Sequence, residues 1–174
     1  DVRYGQAASP AQQQLARLPA DSLAAQLRDP SVAKAFWLNV YNATVLDLLA
    51  EDTSRYADRS RFFATPYLVI AGHQLSLDDV EHGILRRARV KWSLGYLGRW
   101  FVPGFIRRFM LPEVDYRIHF ALNCGATSCP PIRHYRAARL EQQLNLAARS
   151  YLQQTVRWDA QEEAVALPRL CLWF

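Results

Sequence analysis

The rhythm of apolar and polar positions changes several times along the chain, and each change predicts an element. In "SPAQQQLARL" the spacing predicts a short helix, with Ser9 as its cap and Pro10 at the first helical position. "DSLAAQLRD" predicts a second short helix. From about Pro30 to Ala50, "SVAKAFWLNVYNATVLDLLAED" is apolar nearly all round, the pattern of a helix buried on every side. Asn39 and Asn42 interrupt it, three positions apart and so on one face.

The period then shifts. Tyr67 to Ala71 is apolar and β-branched, Gly72-His73 is a turn signal, and Gln74 to Ser76 returns as a strand. Ser76 and Asp79 resemble a capping box that opens a helix through "LDDVEHGILRRAR". Val90 to Pro112 reads as irregular, basic and aromatic. Ile118 to Asn123 reads as a strand ending at Cys124, and Pro130 and Pro131 forbid its continuation as helix or central sheet. "RAARLEQQLNLAARSYLQQ" predicts an amphipathic helix whose apolar face holds Leu140, Leu144, Ala147 or Ala148, and Tyr151. "TVRWDAQEEAVALPRL" predicts a hairpin turning near Ala160 to Glu163. Helices come first and strands are interspersed later. That order predicts an α+β fold with a helical N-terminal half and a small, mostly antiparallel sheet.

Composition changes this picture little. A chain of 174 residues, half of them apolar, suits one domain with a packed core. No apolar run reaches the roughly 18 residues that span a bilayer. No leader is visible at Asp1, and the apolar "CLWF" at the other end leads us to expect trimmed ends. The net charge of +5 rests on arginines, with only Lys34 and Lys91 as lysines, and codon bias is the plainest reading of that. The three cysteines, Cys124, Cys129 and Cys171, are no disulfide scaffold, although one bridge suits an oxidising compartment.

Three stretches carry candidate chemistry. An asparagine inside a buried helix needs a partner, since an unpaired amide costs about 1–3 kcal/mol. Asn39 and Asn42 therefore either fix a neighbouring loop or line a site and orient a base or substrate. In "DDVEHGILRR", His82 has Glu81 beside it in sequence and Arg86 one turn on. Adjacent helix positions do not face each other, so Asp78 or Asp79, across one turn, competes with Glu81 as its partner. In "HFALNCGATSCPP", Cys124 ends the expected strand. Gly125 lets backbone N–H groups come close to a ligand, and Thr127 and Ser128 add donors suited to an oxyanion. A thiol becomes a nucleophile when a histidine or helix N-terminal amides lower its pKa. On a strand, His119 and Cys124 would point to opposite faces, which leaves His82 as the partner. Two other readings stay open: a disulfide, Cys124–Cys129 or Cys129–Cys171, and a zinc site from Cys124, Cys129, His119 and His82 or His134.

The basic stretch makes a fourth. From His82 to Pro112 there is no acidic residue, while Trp92, Tyr96, Trp100, Phe101, Phe105 and Phe109 interleave with arginines. One reading is core packing with solvated arginines. The other is an anionic membrane surface met through residues 86–110. Nucleic acid is disfavoured, because no recognised motif accompanies the charge.

"AFWLNVYNA", "SLDDVEHGILR" and "RIHFALNCGATSCPPIR" together resemble the family catalogued as domain of unknown function 547. That family includes stand-alone bacterial proteins and the C-terminal domains of plant leucine-zipper proteins of the ternary-complex-factor type. The likeness runs from about Val32 to the end and brings no established activity. It implies emphasis on Trp37, Asn39, Tyr41 and Asn42, on Glu81, His82, Leu85 and Arg86, and on Cys124, Gly125 and Ser128. The long basic insert, about 88–112, departs from compact members. Many bacterial members are exported, so the resemblance implies the periplasm or cell envelope, with the cytoplasm as alternative.

These readings converge on a thiol-dependent hydrolase or acyl-transfer enzyme. Cys124 would be the nucleophile and His82 the base, with Glu81 or Asn39 orienting the imidazole. Asn39, Asn42, Arg86, Gly125 and Ser128 would line the site. By fold-level analogy alone it would be loosely papain- or transglutaminase-like. The expected partner is an unidentified small molecule or peptide, with no cofactor and no metal. The rival is a small-ligand-binding or protein-interaction scaffold without turnover.

Overall fold

Ser9 and Gln12 exchange side-chain and backbone hydrogen bonds, closing the capping box of α1 (Pro10–Arg17). The computed structural model describes residues 9–90, 97–123, 133–168 and 170–171. α2 (Ala20–Gln26) follows and contributes Leu23 to the core. α3 (Pro30–Glu51) starts where Asp29 accepts from the Ser31 and Val32 N–H groups, with Pro30 pre-set for its first turn. Its apolar girth is realised in packing: Trp37, Leu38 and Val45 are wholly buried and Tyr41 nearly so. A 3₁₀ turn, Thr53–Ala57, leads to α4 (Arg59–Ala64), where Phe62 packs edge-on against Tyr56 and Phe63.

β1 (Leu68–Ile70) and β2 (His73–Leu75) pair antiparallel, Leu68 opposite Leu75 and Ile70 opposite His73. Ala71 and Gly72 turn the chain, both at positive φ (49° and 75°), the twist that suits a two-residue hairpin. Their N–H groups donate to Leu15 and Ala16 carbonyls at 2.9 Å, so the hairpin caps the end of α1.

The Ser76–Asp79 box forms as expected, with Ser76 N–H on Asp79 Oδ2 and Asp79 N–H on Ser76 Oγ, both at 3.0 Å. The helix it opens is a π-helix, Asp79–Leu85, wider than the α-helix the pattern suggests. Arg86 N–H donates to Glu81 C=O and Ala88 N–H to Gly83 C=O, each five residues back. The basic segment is not irregular throughout, because α5 (Gly104–Phe109) forms within it. α5 presses on the π-helix at Gly83, where a Cβ would sit 3.0 Å from Ile106 Cγ2. Phe109 meets Trp37 edge-on.

The strand expected at Ile118–Asn123 is not there. Tyr116–Phe120 is a 3₁₀ turn, begun by Asp115, whose Oδ1 accepts from Arg117 N–H. Its alternating pattern misleads because Ile118, His119, Phe120, Ala121 and Leu122 are all buried, on every side rather than on one face. Asp115 also takes Lys34 at 2.6 Å, and Arg117 reaches Glu141 at 2.8 Å. These ties lock the turn between α3 and α6 (Leu140–Thr155), which buries Leu140, Leu144, Ala147 and Ala148. β3 (Arg157–Asp159) and β4 (Ala164–Ala166) form the final antiparallel hairpin. The architecture is one α+β domain, mostly helical, and among the described residues it has two separate two-stranded antiparallel sheets in place of the one small sheet expected. Among the described residues, no helix is long and apolar enough to cross a membrane.

Candidate functional site

Both asparagines of α3 hold backbone. Asn39 donates to Tyr135 C=O and accepts from Tyr135 N–H, each at 2.8 Å. Asn42, 2% exposed, donates to Ala121 C=O at 3.0 Å and accepts from Asn123 N–H at 2.9 Å. Each amide thus makes a two-point clamp. One grips the chain just before Cys124, the other just after His134. This is the loop-fixing reading of the pair. Asn39 is committed to Tyr135 and does not orient His82, contrary to that part of the expectation.

The π-helix gathers the charged groups. His82 is 4% exposed and Arg86 3%. Arg86 Nη1 stands 3.1 Å from His82 Nδ1. On the other side of the ring, Nε2 is 3.6 Å from Asp78 Oδ1 and 3.9 Å from Glu81 Oε1. Asp78 is therefore the nearer carboxylate, as the one-turn spacing allows, and Glu81 is drawn in beside it. Glu81 Oε1 also lies 4.0 Å from Arg86 Nη1, and its Oε2 accepts from the Tyr41 hydroxyl at 3.1 Å. Burial first, then the Glu81 charge, hold the Tyr41 phenol well above its ordinary pKa, so it stays a donor. Burial pulls the Arg86 pKa down against the Glu81 charge, yet a guanidinium remains protonated in water-accessible pH.

An arginine only donates, so the Nδ1 facing Arg86 must accept. The His82 proton then sits on Nε2, directed at the carboxylates. One buried cation and two carboxylates thus hold a neutral imidazole in one tautomer. Each of these groups would be costly to bury alone.

His119 corrects the sequence argument. Reading it on a strand put its side chain away from the site. The 3₁₀ turn removes that geometry and leaves His119 6% exposed, close enough to Arg86 for the guanidinium to act on it. Burial, and then the Arg86 charge, push its pKa down to about 3, with Asp115 pulling the other way. The signal available in the sequence was Asp115, a turn-capping residue two positions before Arg117.

Cys124, Gly125, Thr127, Ser128 and Cys129 lie outside the described residues, so the Cys124–His82 pair and the Cys124–Cys129 bridge rest on sequence. Cys171 is a free, half-buried thiol in the structure, and its expected partner Cys129 lies outside the described residues. Among the described residues no three His, Cys, Asp or Glu side chains converge to hold a metal ion. His134, offered for the zinc reading, is exposed.

The fold and site define an α+β domain with a buried His–Arg–carboxylate cluster beside two amide clamps. The chain belongs to the family described as "Protein of unknown function, DUF547", whose model matches residues 25–152. No curated protein and no solved structure matches it.

Proposed function

We propose that the protein is a thiol-dependent hydrolase or acyl-transfer enzyme. Cys124 sulfur would add to a carbonyl carbon while its proton passes to His82. The tetrahedral intermediate would then expel the leaving group, which takes that proton, and water or an acceptor nucleophile would release the acyl group from sulfur. Asp78 and Glu81 would stabilise the imidazolium from the Nε2 side. Loop amides at Gly125 and Ser128 would meet the oxyanion. The observation that carries this reading is His82, buried with its Nε2 against two carboxylates, 3.6 and 3.9 Å away. Asn42 adds support by pinning Asn123, the residue before Cys124. For Nδ1 to accept a proton, Arg86 must first release it, and Glu81, 4.0 Å from Nη1, is the carboxylate to receive the guanidinium. The likeness to papain and transglutaminases remains an analogy, with His before Cys in chain order. We place the protein in the periplasm or cell envelope, with the cytoplasm as alternative; cell fractionation decides between them.

Arg86 favours a second reading. Its hydrogen bond to Nδ1 occupies the lone pair a base would use, which suits a scaffold that binds a small molecule or peptide without turnover. Mass-mapped alkylation across a pH series separates the two. The enzyme requires Cys124 to react faster than Cys129, Cys171 and an unfolded cysteine near neutral pH. It also requires His82→Ala to slow that reaction and move its pH dependence upward. Reaction no faster than in the unfolded chain selects the scaffold.

A further inference from the structure

The basic aromatic insert leaves and rejoins the site helix. Arg89 N–H donates to His82 C=O at the start and Leu111 N–H to Ile84 C=O at the end, both at 3.1 Å. Val90 N–H on Leu97 C=O and Arg99 N–H on Ala88 C=O, each 2.8 Å, with Arg89 bridged to Gly98, make a short ladder at its base. Part of the insert is core: Ile106, Phe109 and Leu111 are buried, and Phe105 stacks on His73 at 4.3 Å. Three of its other described apolar residues face outward. Trp100 is fully exposed at 105%, Phe101 is 80% exposed and Leu97 53%.

Cations neighbour these aromatics in the chain. Arg87, Arg107 and Arg108 are exposed and Arg99 half-exposed. The Arg107 guanidinium lies on the Val102 carbonyl, next in the chain to Phe101, at 3.1 Å. Arg108 is paired with Asp21. No acidic residue occurs between His82 and Pro112 to offset the rest.

We propose that this face, with the exposed Trp100 and Phe101 following the ladder and Arg87, Arg99 and Arg107 near them in the chain, docks on a bilayer surface containing anionic lipid. An indole with its N–H free prefers the headgroup boundary, where its body is in hydrocarbon and its donor in water. Arginines beside it meet phosphate while their stems lie along the apolar layer. The face offers an exposed aromatic pair in a stretch of sequence without acidic residues, which fits a fluid anionic surface. The inference stands apart from the thiol chemistry and would hold for a scaffold equally. Because both ends of the insert are bonded to the π-helix, a docked protein would hold His82 and Arg86 at a fixed height above the lipid.

The test is co-sedimentation of the whole chain with phosphatidylcholine vesicles, with and without phosphatidylglycerol, at low and physiological salt. Binding should need the anionic lipid and weaken as salt rises. Trp100→Ala with Phe101→Ala should lower the vesicle affinity at least about tenfold with unchanged melting and circular dichroism. Arg107→Glu should flatten the salt dependence. Equal, negligible binding in every condition overturns the proposal, as does full binding by the Trp100/Phe101 variant. A vesicle-independent dimer that the same variant dissociates would also overturn it, by making the face a self-interface.

Discussion

Arg86 Nη1 lies 3.1 Å from His82 Nδ1, and this contact sets the protonation pattern of the whole cluster. A donor on Nδ1 leaves the ring proton on Nε2, against Asp78 and Glu81. Imidazole ¹⁵N shifts of the native protein should therefore report the Nε2–H tautomer for His82. Finding Nδ1–H would mean that Arg86 is not where the ring needs it. Arg86→Met should cost about 3–5 kcal/mol in urea denaturation, because it removes the buried cation beside the Glu81 carboxylate and the donor on His82 Nδ1. A cost below about 1 kcal/mol would show that water already reaches and solvates that carboxylate.

The two clamps on α3 predict a coupled pair. Asn42→Ala strips partners from Ala121 C=O and Asn123 N–H and should destabilise by about 1–3 kcal/mol. Asn39→Ala should cost less, since Asn39 is half-buried. The two grip the chain on either side of residues 124–132. If that stretch is held as a unit, releasing one end lowers the worth of holding the other. The double variant should then depart from additivity by at least about 0.5 kcal/mol. Strict additivity in denaturant midpoints would mean two independent anchors.

What the sequence made legible was whatever a local pattern controls. α3, the Ser76–Asp79 box, the first hairpin (expected to turn at Gly72-His73, turning one residue earlier at Ala71–Gly72) and the apolar face of α6 each follow from periodicity, caps and turn residues acting within a few positions. The Asn pair was legible too, because a buried amide demands a partner, though not which one. The segment before Cys124 was not. Ile118, Phe120 and Leu122 alternate as a half-buried strand would, but the backbone there is satisfied by a side chain of α3 rather than by a neighbouring strand. Such a long-range bond, across 79 residues from Asn42 to Ala121, leaves no periodic trace. His119 was displaced from the site by the same error. The π-helix was hidden for a related reason: its wider turn reads locally like α, and α5, which packs against it at Gly83, fell in a segment read as irregular.

Gly83 is a packing residue with a measurable consequence. An added Cβ would lie 3.0 Å from Ile106 Cγ2 and 3.2 Å from Cδ1. Ile106 is itself 3% exposed, so it has little room to retreat. Gly83→Ala should destabilise by about 1–3 kcal/mol despite the better helix propensity of alanine. Gly83→Ala with Ile106→Val should recover part of that loss. Denaturant midpoints of the two variants check this, and a single variant more stable than the parent would show that α5 shifts freely.

His119 predicts how the protein fails in acid. Its pKa is depressed to about 3 in the fold, by burial and then by Arg86, with Asp115 opposing. In the unfolded chain a histidine titrates near about 6.5. Above that value both states are neutral there and the contribution is complete. Below it the unfolded chain binds a proton that the native state refuses, so stability falls with pH by up to about 1.4 kcal/mol per pH unit. The loss runs from about 6.5 down to about 3. Asp115 acts in a lower window. Burial would raise it, but hydrogen bonds from Arg117 and Lys34 prevail and bring it from 3.8 to about 2, so its contribution is lost only over that range. Between about pH 6 and about pH 4 His119 should therefore contribute up to one proton to the slope. His119→Gln should reduce the slope of unfolding free energy there by close to one proton, whatever it does to stability at neutral pH. Urea denaturation at a series of pH values measures it directly. An unchanged slope would mean that His119 takes up its proton in the native fold, with Arg86 moved away from it.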